Sequence, residues 1–133
     1  MYKRQTLPLV DEGDTYAVYK ISKRRDEDIS TVCGAFRLKI KDGVVENAVI
    51  AFGGMAATPK RAKNVEAKLK GQPWNEQTIT TAMASFDDDF SPLSDWRGSS
   101  EYRALVAKNL LRRFYLETHT GVEDNRLPRE AVA

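Results

Sequence analysis

A mixed-sign run of charged residues is the part of this sequence best suited to chemistry. Its cations come first and its anions follow: Lys20, Lys23, Arg24, Arg25, Asp26, Glu27 and Asp28. A loop held between two strands could present these charges to an anionic or electron-rich ligand, with the carboxylates orienting the arginines. Taken by themselves, the same residues favour a solvated turn whose opposite charges cancel.

Other kinds of site are poorly supported by the residues. His119 is the only histidine and Cys33 the only cysteine. The chain therefore has too few of these residues for a structural zinc site and offers poor support for a catalytic nucleophile activated by histidine. The run Asp87-Asp88-Asp89 lacks the spacing of a calcium loop, and we interpret it as a solvated helix end. We therefore predict no catalytic and no metal-ligating residue in this chain.

A second candidate for anion binding is the turn Gly53-Gly54, which lies just before Lys60 and Arg61. Glycines that lead into a helix N-terminus can present backbone N–H groups to an anion, and the two cations would add charge. The spacing matches neither a P-loop nor a dinucleotide-binding fingerprint. A tight turn is the simpler interpretation.

Hydrophobic alternation predicts the elements that would hold the charged run in place. Strands are predicted at 4–10, 16–22, 30–41 and 44–52, with Asp42-Gly43 as a two-residue hairpin turn. The charged run is then the connection between the second and third strands.

The pattern changes to helical spacing after Gly54. A first helix is predicted over 59–70, with Thr58 as cap and Pro59 in its first turn, and a second begins after the cap Asn75. A third helix is predicted from 99 or 100 to about 117, with five side chains facing inward: Tyr102, Leu105, Val106, Leu110 and Phe114.

Strands followed by helices predict an α+β fold, an antiparallel sheet of three to four strands packed against a three-helix bundle. The predicted domain covers residues 1–118. A polar tail, 119–133, is expected to fray.

The composition is that of an ordinary globular domain, with 133 residues, 41% of them hydrophobic and 30% charged. A net charge of +2, interleaved along the chain, gives no strong field to attract nucleic acid. No segment has the length and apolarity of a membrane span or a signal peptide. With its single cysteine, the chain is expected to be cytoplasmic, without nucleic-acid or membrane partners.

Several ordered blocks of the sequence carry a family resemblance, at positions 19–34, 50–56, 58–62, 90–97 and 102–103. Together they resemble the C-terminal domain of the FAD-binding region of molybdenum hydroxylases, of the CO dehydrogenase flavoprotein C-terminal type. Within that family they are most similar to the small subunit of bacterial xanthine dehydrogenases.

The resemblance implies a cofactor, FAD, shared with a domain that this sequence does not contain. In such enzymes electrons from purine oxidation at molybdopterin pass through [2Fe-2S] clusters to FAD and then to NAD. It also implies a site at the charged run: Lys20, Arg24 and Glu27 nearest the flavin ring, Asp28 holding the loop, and Ile29 beside them.

The implied partners are the FAD-binding and ferredoxin-like domains of the same subunit, the molybdopterin-binding large subunit, and NAD. A homodimer is possible through apolar surface that the missing domain would cover. Alone, the chain is expected to be inactive and to bind FAD weakly or not at all.

Two alternatives stay open at this point. The chain could be the flavoprotein domain of a related CO, aldehyde or nicotinate hydroxylase, because substrate is selected at a molybdenum site outside this sequence. It could also be a free-standing α+β interaction module that uses Lys20 to Arg25 and Lys60 to Lys70 against a polyanion, with binding that weakens steeply in salt.

Overall fold

The computed structural model describes Leu9 and residues 11–119, which form an antiparallel sheet with helices against one face. The strands are β1 Asp14–Ile21, β2 Val32–Lys41, β3 Val44–Gly53 and β4 Lys60–Arg61; the helices are α1 Lys63–Leu69, α2 Glu76–Ala84, the single-turn α3 Phe86–Asp89 and α4 Ser100–His119. The strand order is β1-β2-β3-β4, with every neighbour antiparallel. The predicted α+β class is confirmed.

The predicted Asp42-Gly43 hairpin is confirmed by backbone geometry. Asp42 has φ of 51° and Gly43 of 76°, the left-handed values that a tight two-residue turn requires. Lys41 then pairs with Val44, which sets the β2–β3 register. The alternation in β2 buries Val32, Phe36 and Leu38 against the helices.

Aromatic rings fill the space between the sheet and the helices. Phe36 of β2 stacks on Phe114 of α4 with ring centroids 5.2 Å apart, and its edge meets Phe52 of β3 at 5.6 Å. Phe52 also meets Phe86 of α3 at 5.5 Å. Each fully buried ring contributes about 1.5–3 kcal/mol of transfer free energy, so this cluster joins sheet and helices into one core.

The opposite face of the sheet has no element over it among the described residues. Tyr16 and Val18 of β1 point to this side and are each 65% exposed. Their partners across the ladder are Arg37 and Ala35 of β2. The sheet therefore has one buried and one open face.

The predicted start of the first helix is wrong. Residues 60–61 extend along β3 as the short strand β4, and the helix begins at Lys63 without a side-chain cap from the preceding residue. Its N-terminus is capped from a distance instead, since the Asp89 carboxylate accepts hydrogen bonds from the backbone N–H groups of Asn64 and Val65, each at 3.0 Å. Asp89 is buried, so the interpretation of 87–89 as a solvated helix end is wrong for this residue.

The helical cap at Asn75 is confirmed, because its side chain accepts from Thr78 N–H at 2.9 Å. The inward face of α4 differs from the prediction: Tyr102 is 45% and Leu105 58% exposed. The residues of α4 that are buried are Arg103, Ala107, Leu110, Leu111, Phe114 and Tyr115.

The predicted strand at 4–10, apart from Leu9, and the predicted tail beyond His119 lie outside the described residues. None of the helices in the described ranges combines the length and apolarity needed to cross a bilayer.

Candidate functional site

The mixed-sign run forms the connection between β1 and β2, and residues 22–30 are called the charged loop below. Ile21 and Val32 are the last pair of the ladder. Thr31 N–H donates to the Ile21 carbonyl at 2.7 Å and closes the base of the loop. The loop therefore leaves the sheet from a fixed base.

Asp28 organises the inside of the charged loop. Its Oδ2 accepts from the backbone N–H of Arg24 at 3.0 Å, and the Ser22 hydroxyl donates to the Arg24 carbonyl at 2.6 Å. The Arg24 guanidinium reaches the carbonyl of Glu27 at 3.2 Å. Glu27 has φ of 49°, so the chain reverses there in the left-handed region and the loop folds around the Asp28 carboxylate.

A second segment, the turn formed by residues 94–98, braces the loop from outside. Arg97 donates to Asp28 Oδ1 and to the Ile29 carbonyl, each at 3.1 Å. Lys23 Nζ donates to the Trp96 carbonyl at 2.6 Å. Asp95 shapes the turn itself by accepting from the N–H groups of Arg97 at 2.8 Å and Gly98 at 3.2 Å.

Arg103 of α4 joins this turn to the sheet. Its guanidinium donates to the carbonyls of Thr31 and Gly54 and, at 2.7 Å, to the Asp95 carboxylate. The Arg103 side chain is buried, whereas that of Asp95 is 43% exposed, and the contacts join the segments that contain Thr31, Gly54 and Asp95.

Gly54 is required by this arrangement. It has φ of 79°, and a Cβ built there would lie 2.3 Å from the Thr31 carbonyl oxygen. The nearby cations are engaged elsewhere: Lys60 donates to the Asp89 carbonyl, and Arg61 forms a two-point pair with Glu66 at 2.7 and 2.9 Å. The geometry therefore supports the tight-turn interpretation of Gly53-Gly54 over an anion site.

The two structural carboxylates are held ionised. The hydrogen bond from Arg24 N–H, helped by Arg97, lowers the pKa of Asp28 below its ordinary 3.8 against an opposing desolvation effect. The hydrogen bond from the Arg103 guanidinium, followed by that from Arg97 N–H, lowers the pKa of Asp95 in the same way. Both groups therefore remain acceptors at neutral pH.

The residues predicted for the site divide into an outer and an inner set. Lys20, Arg24, Glu27 and Ile29 are exposed, with 67% of Ile29 open to solvent. The Asp28 side chain is 8% exposed and faces the loop interior. A shallow groove runs along Lys20 to Arg25. Lys20 near the end of β1 and Arg24, Glu27 and Ile29 of the loop thus place two cations, one carboxylate and one aliphatic side chain on the same exposed surface.

Sequence reasoning did not give roles to Asp95, Arg97 and Arg103. All three lie in the blocks that carry the family resemblance, Ser94-Asp95-Trp96-Arg97 and Tyr102-Arg103, which was the available signal. Within residues 11–119 no three His, Cys, Asp or Glu side chains converge in a way that could hold a metal ion.

Comparison with known proteins places this geometry in a family. The sequence profile of the CO dehydrogenase flavoprotein C-terminal domain matches residues 17–118. The nicotinate hydroxylase of Emericella nidulans is 33% identical over 88% of this chain and 9% of its own length. The putative xanthine dehydrogenase FAD-binding subunit of Escherichia coli is 31% identical over 76% of this chain and 35% of its own length.

Solved structures agree with the sequence matches. A chain of a Cu,Mo-CO dehydrogenase superposes with a TM-score of 0.73 at 31% identity, covering 80% of this chain and 37% of that one. The chain thus spans little more than a third of such relatives, or less. It belongs to the CO dehydrogenase flavoprotein C-terminal domain family, and the relatives that it matches are oxidoreductases of the xanthine dehydrogenase and CO dehydrogenase kind.

Proposed function

We propose that the charged loop flanks the FAD of a xanthine dehydrogenase-type molybdenum hydroxylase and shapes the side of the flavin that faces NAD. The observation that supports this proposal is the division of the loop into two sets of side chains. Asp28 is turned inward and fixes the loop backbone, while Arg24, Glu27 and Ile29 of the loop, together with Lys20 near the end of β1, are exposed to solvent.

FAD, when bound, supplies the redox chemistry by taking up electrons and passing them on. The residues of this chain act on that chemistry through charge. Lys20 and Arg24 would stabilise added electron density, and Glu27 would oppose it. Arg97 holds the loop, and Arg103 holds Thr31 at its base. The loop backbone would therefore be fixed before the reaction and would not have to reorganise during it. Ile29 would keep water from the ring beside it.

The proposed partners follow from the same placement. The rest of the FAD site would come from the FAD-binding domain of the same subunit, with a ferredoxin-like domain carrying [2Fe-2S] clusters and a large subunit carrying molybdopterin. NAD is proposed as the electron acceptor. We also propose that the chain can self-associate, because the open face of the sheet exposes the apolar side chains of Tyr16 and Val18. The proposed location is the cytoplasm.

Xanthine is proposed as the substrate of the complete enzyme. The similarity to a nicotinate hydroxylase supports nicotinate as the second candidate. The described residues of this chain do not select between them, because none forms part of a molybdenum site.

The proposal predicts that charges in the loop affect one half-reaction and spare the other. In the assembled flavoprotein, Glu27→Lys and Arg24→Ala are expected to change turnover with NAD several-fold. Purine oxidation with artificial acceptors, which take electrons before the flavin, is expected to stay largely intact. The measurement is steady-state turnover with each acceptor.

Glu46→Lys serves as the matched control, since Glu46 is an exposed β3 residue whose carboxylate pairs with Lys39 at 3.7 Å, away from the charged loop. It is expected to leave both activities unchanged. Equal loss of both activities in Glu27→Lys would indicate misfolding. Turnover with NAD equal to that of the parent protein in both Glu27→Lys and Arg24→Ala would contradict the placement of this loop beside the flavin.

A further inference from the structure

Resting on the proposed function, we propose that Arg97 is a positioning residue: it sets the conformation of the charged loop from a separate segment and so fixes where Arg24 and Glu27 present their charges. Arg97 is not one of the exposed residues that would face the flavin. It acts through Asp28 and the Ile29 carbonyl.

The contacts of Arg97 are unusually concentrated on the loop. One guanidinium nitrogen, Nη1, lies 3.1 Å from both Asp28 Oδ1 and the Ile29 carbonyl oxygen, although Asp28 is 69 positions away in sequence. The side chains of the pair are 14% and 8% exposed. A charge-assisted hydrogen bond at such low exposure is stronger than the same pair on an open surface. The Arg97 carbonyl also accepts from the Thr31 hydroxyl at 3.3 Å, at the base of the loop.

A second guanidinium near Asp28 comes from within the loop, and its contact is weaker. The Arg24 guanidinium lies 3.8 Å from Asp28 Oδ1, and its side chain is 73% exposed. Exposed ion pairs of this kind contribute little because water screens them and the long side chain loses freedom. Of the two guanidinium groups near Asp28, that of Arg97 therefore holds the carboxylate more strongly, while that of Arg24 also donates to the Glu27 carbonyl at 3.2 Å.

Arg97 is itself fixed in orientation. Its guanidinium lies 4.3 Å from the centre of the Trp96 ring, and its backbone N–H is bound by Asp95. Asp95 in turn accepts from the buried Arg103 of α4. The loop is thus connected through Arg97 to the longest helix of the domain, and the planar fork of arginine suits a contact shared between a carboxylate and a carbonyl better than a lysine ammonium does.

Amide hydrogen exchange on the chain itself tests the proposal without any flavin. In Arg97→Gln the Arg24 amide, which donates to Asp28, is expected to exchange roughly tenfold faster, together with its neighbours in residues 22–30. Arg97→Lys is expected to give a smaller acceleration confined to the loop. Arg112→Gln, which removes an exposed pair between α4 and Glu76 of α2, is the matched control and is expected to leave the loop unchanged.

Unchanged loop exchange in both Arg97 variants would overturn the proposal. If Arg97→Gln also accelerates amide exchange in β2, the variant disturbs more than the loop, and Arg97→Lys is used for the comparison instead. Loop exchange in Arg97→Lys at the rate of the parent protein would then overturn the proposal. Adding Asp28→Asn to Arg97→Gln is expected to accelerate exchange by less than the two single effects combined, because the Asp28–Arg97 contact is lost in both, whereas fully additive effects would overturn the proposal.

The flavin potential of the assembled protein separates this proposal from the one on which it rests. A potential that shifts in Arg97→Gln and is partly restored in Arg97→Lys supports both. A loosened loop with an unchanged potential supports the role of Arg97 and contradicts the placement of the flavin.

Discussion

Two neighbouring acidic residues, Glu27 and Asp28, have opposite surroundings in the charged loop. Asp28 accepts hydrogen bonds from Arg24 N–H and the Arg97 guanidinium and is closed to solvent. Glu27 sits at the left-handed reversal with its carboxylate exposed. The short Asp side chain suits contacts with nearby backbone, while the longer Glu extends outward. Neutral substitution at Asp28 therefore affects loop shape, and substitution at Glu27 affects surface charge.

Gly54→Ala is expected to destabilise the protein by roughly 2–5 kcal/mol, because the new methyl group would meet the Thr31 carbonyl in addition to the cost of a positive φ. Gly71→Ala is the matched control: Gly71 has φ of 76°, but a Cβ added there would meet no atom within 4 Å. Its expected cost is about 1–2 kcal/mol. Urea denaturation of both variants measures the difference, and equal losses would contradict the close packing of Gly54 on Thr31.

The sequence alone was enough to predict the charged loop but not the residues that brace it. The run from Lys20 to Asp28 is visible as a local charge pattern between two strands. Arg97 meets the loop at Ile29 and Arg103 meets Thr31 at its base, across separations of 68 and 72 positions, and no short-range pattern encodes such contacts. Gly54 was noticed as a turn, but its need to lack a side chain arises from Thr31, which is distant in sequence.

At the scale of elements, helix α1 depends on a residue from another helix. Asp89, at the end of α3, accepts hydrogen bonds from two N–H groups in the first turn of α1 and from the Asn64 side chain, each at 3.0 Å. A carboxylate there also meets the positive end of the helix dipole. The α1–α3 contact therefore replaces the local cap that the sequence lacks.

Asp89→Ala is expected to lower the free energy of unfolding by about 1–2 kcal/mol, since it removes this cap and leaves N–H groups unpaired. The adjacent Asp88→Ala is a matched control at an exposed position, with an expected change within about 0.5 kcal/mol. Thermal or urea unfolding distinguishes them. A loss in Asp88→Ala as large as in Asp89→Ala would contradict the assignment of the cap.

Local signals predicted some elements correctly and others with errors. The Asp42-Gly43 hairpin and the Asn75 cap were right because their geometry is set by adjacent residues. The sequence around Thr58-Pro59 is typical of a helix start, but residues 60–61 pair with β3 and form a short strand instead. The face of α4 was misjudged because its buried stripe begins with a charged residue, Arg103, which hydrophobic periodicity passes over.

For the whole molecule, the sheet separates a packed side from an open one, and the charged loop lies at the end of β1 and β2. The chain spans 35% of the Escherichia coli FAD-binding subunit and 37% of the CO dehydrogenase chain that it matches. The loop offers a single braced surface to a ligand, so the remaining contacts to a dinucleotide would have to come from other polypeptide. The fold class follows from the order of strands and helices, whereas the partner surfaces do not.

The chain by itself is therefore expected to bind FAD weakly or not at all. Quenching of flavin fluorescence on titration with the purified chain measures this, with a dissociation constant expected above the micromolar range. Tight binding of one FAD per chain would show that the loop and the open face suffice for the cofactor, contrary to the proposed shared site.

The reduction potential of the flavin in the assembled protein is the most direct test of the placement of the charged loop. Glu27→Lys replaces an anion with a cation, which favours the electron-rich reduced flavin, and the potential is expected to rise on the order of tens of millivolts. Glu46→Lys makes the same change of charge at a β3 position away from the loop and is expected to give almost no shift. A potential that is the same in Glu27→Lys, Glu46→Lys and the parent protein would contradict a flavin beside this loop.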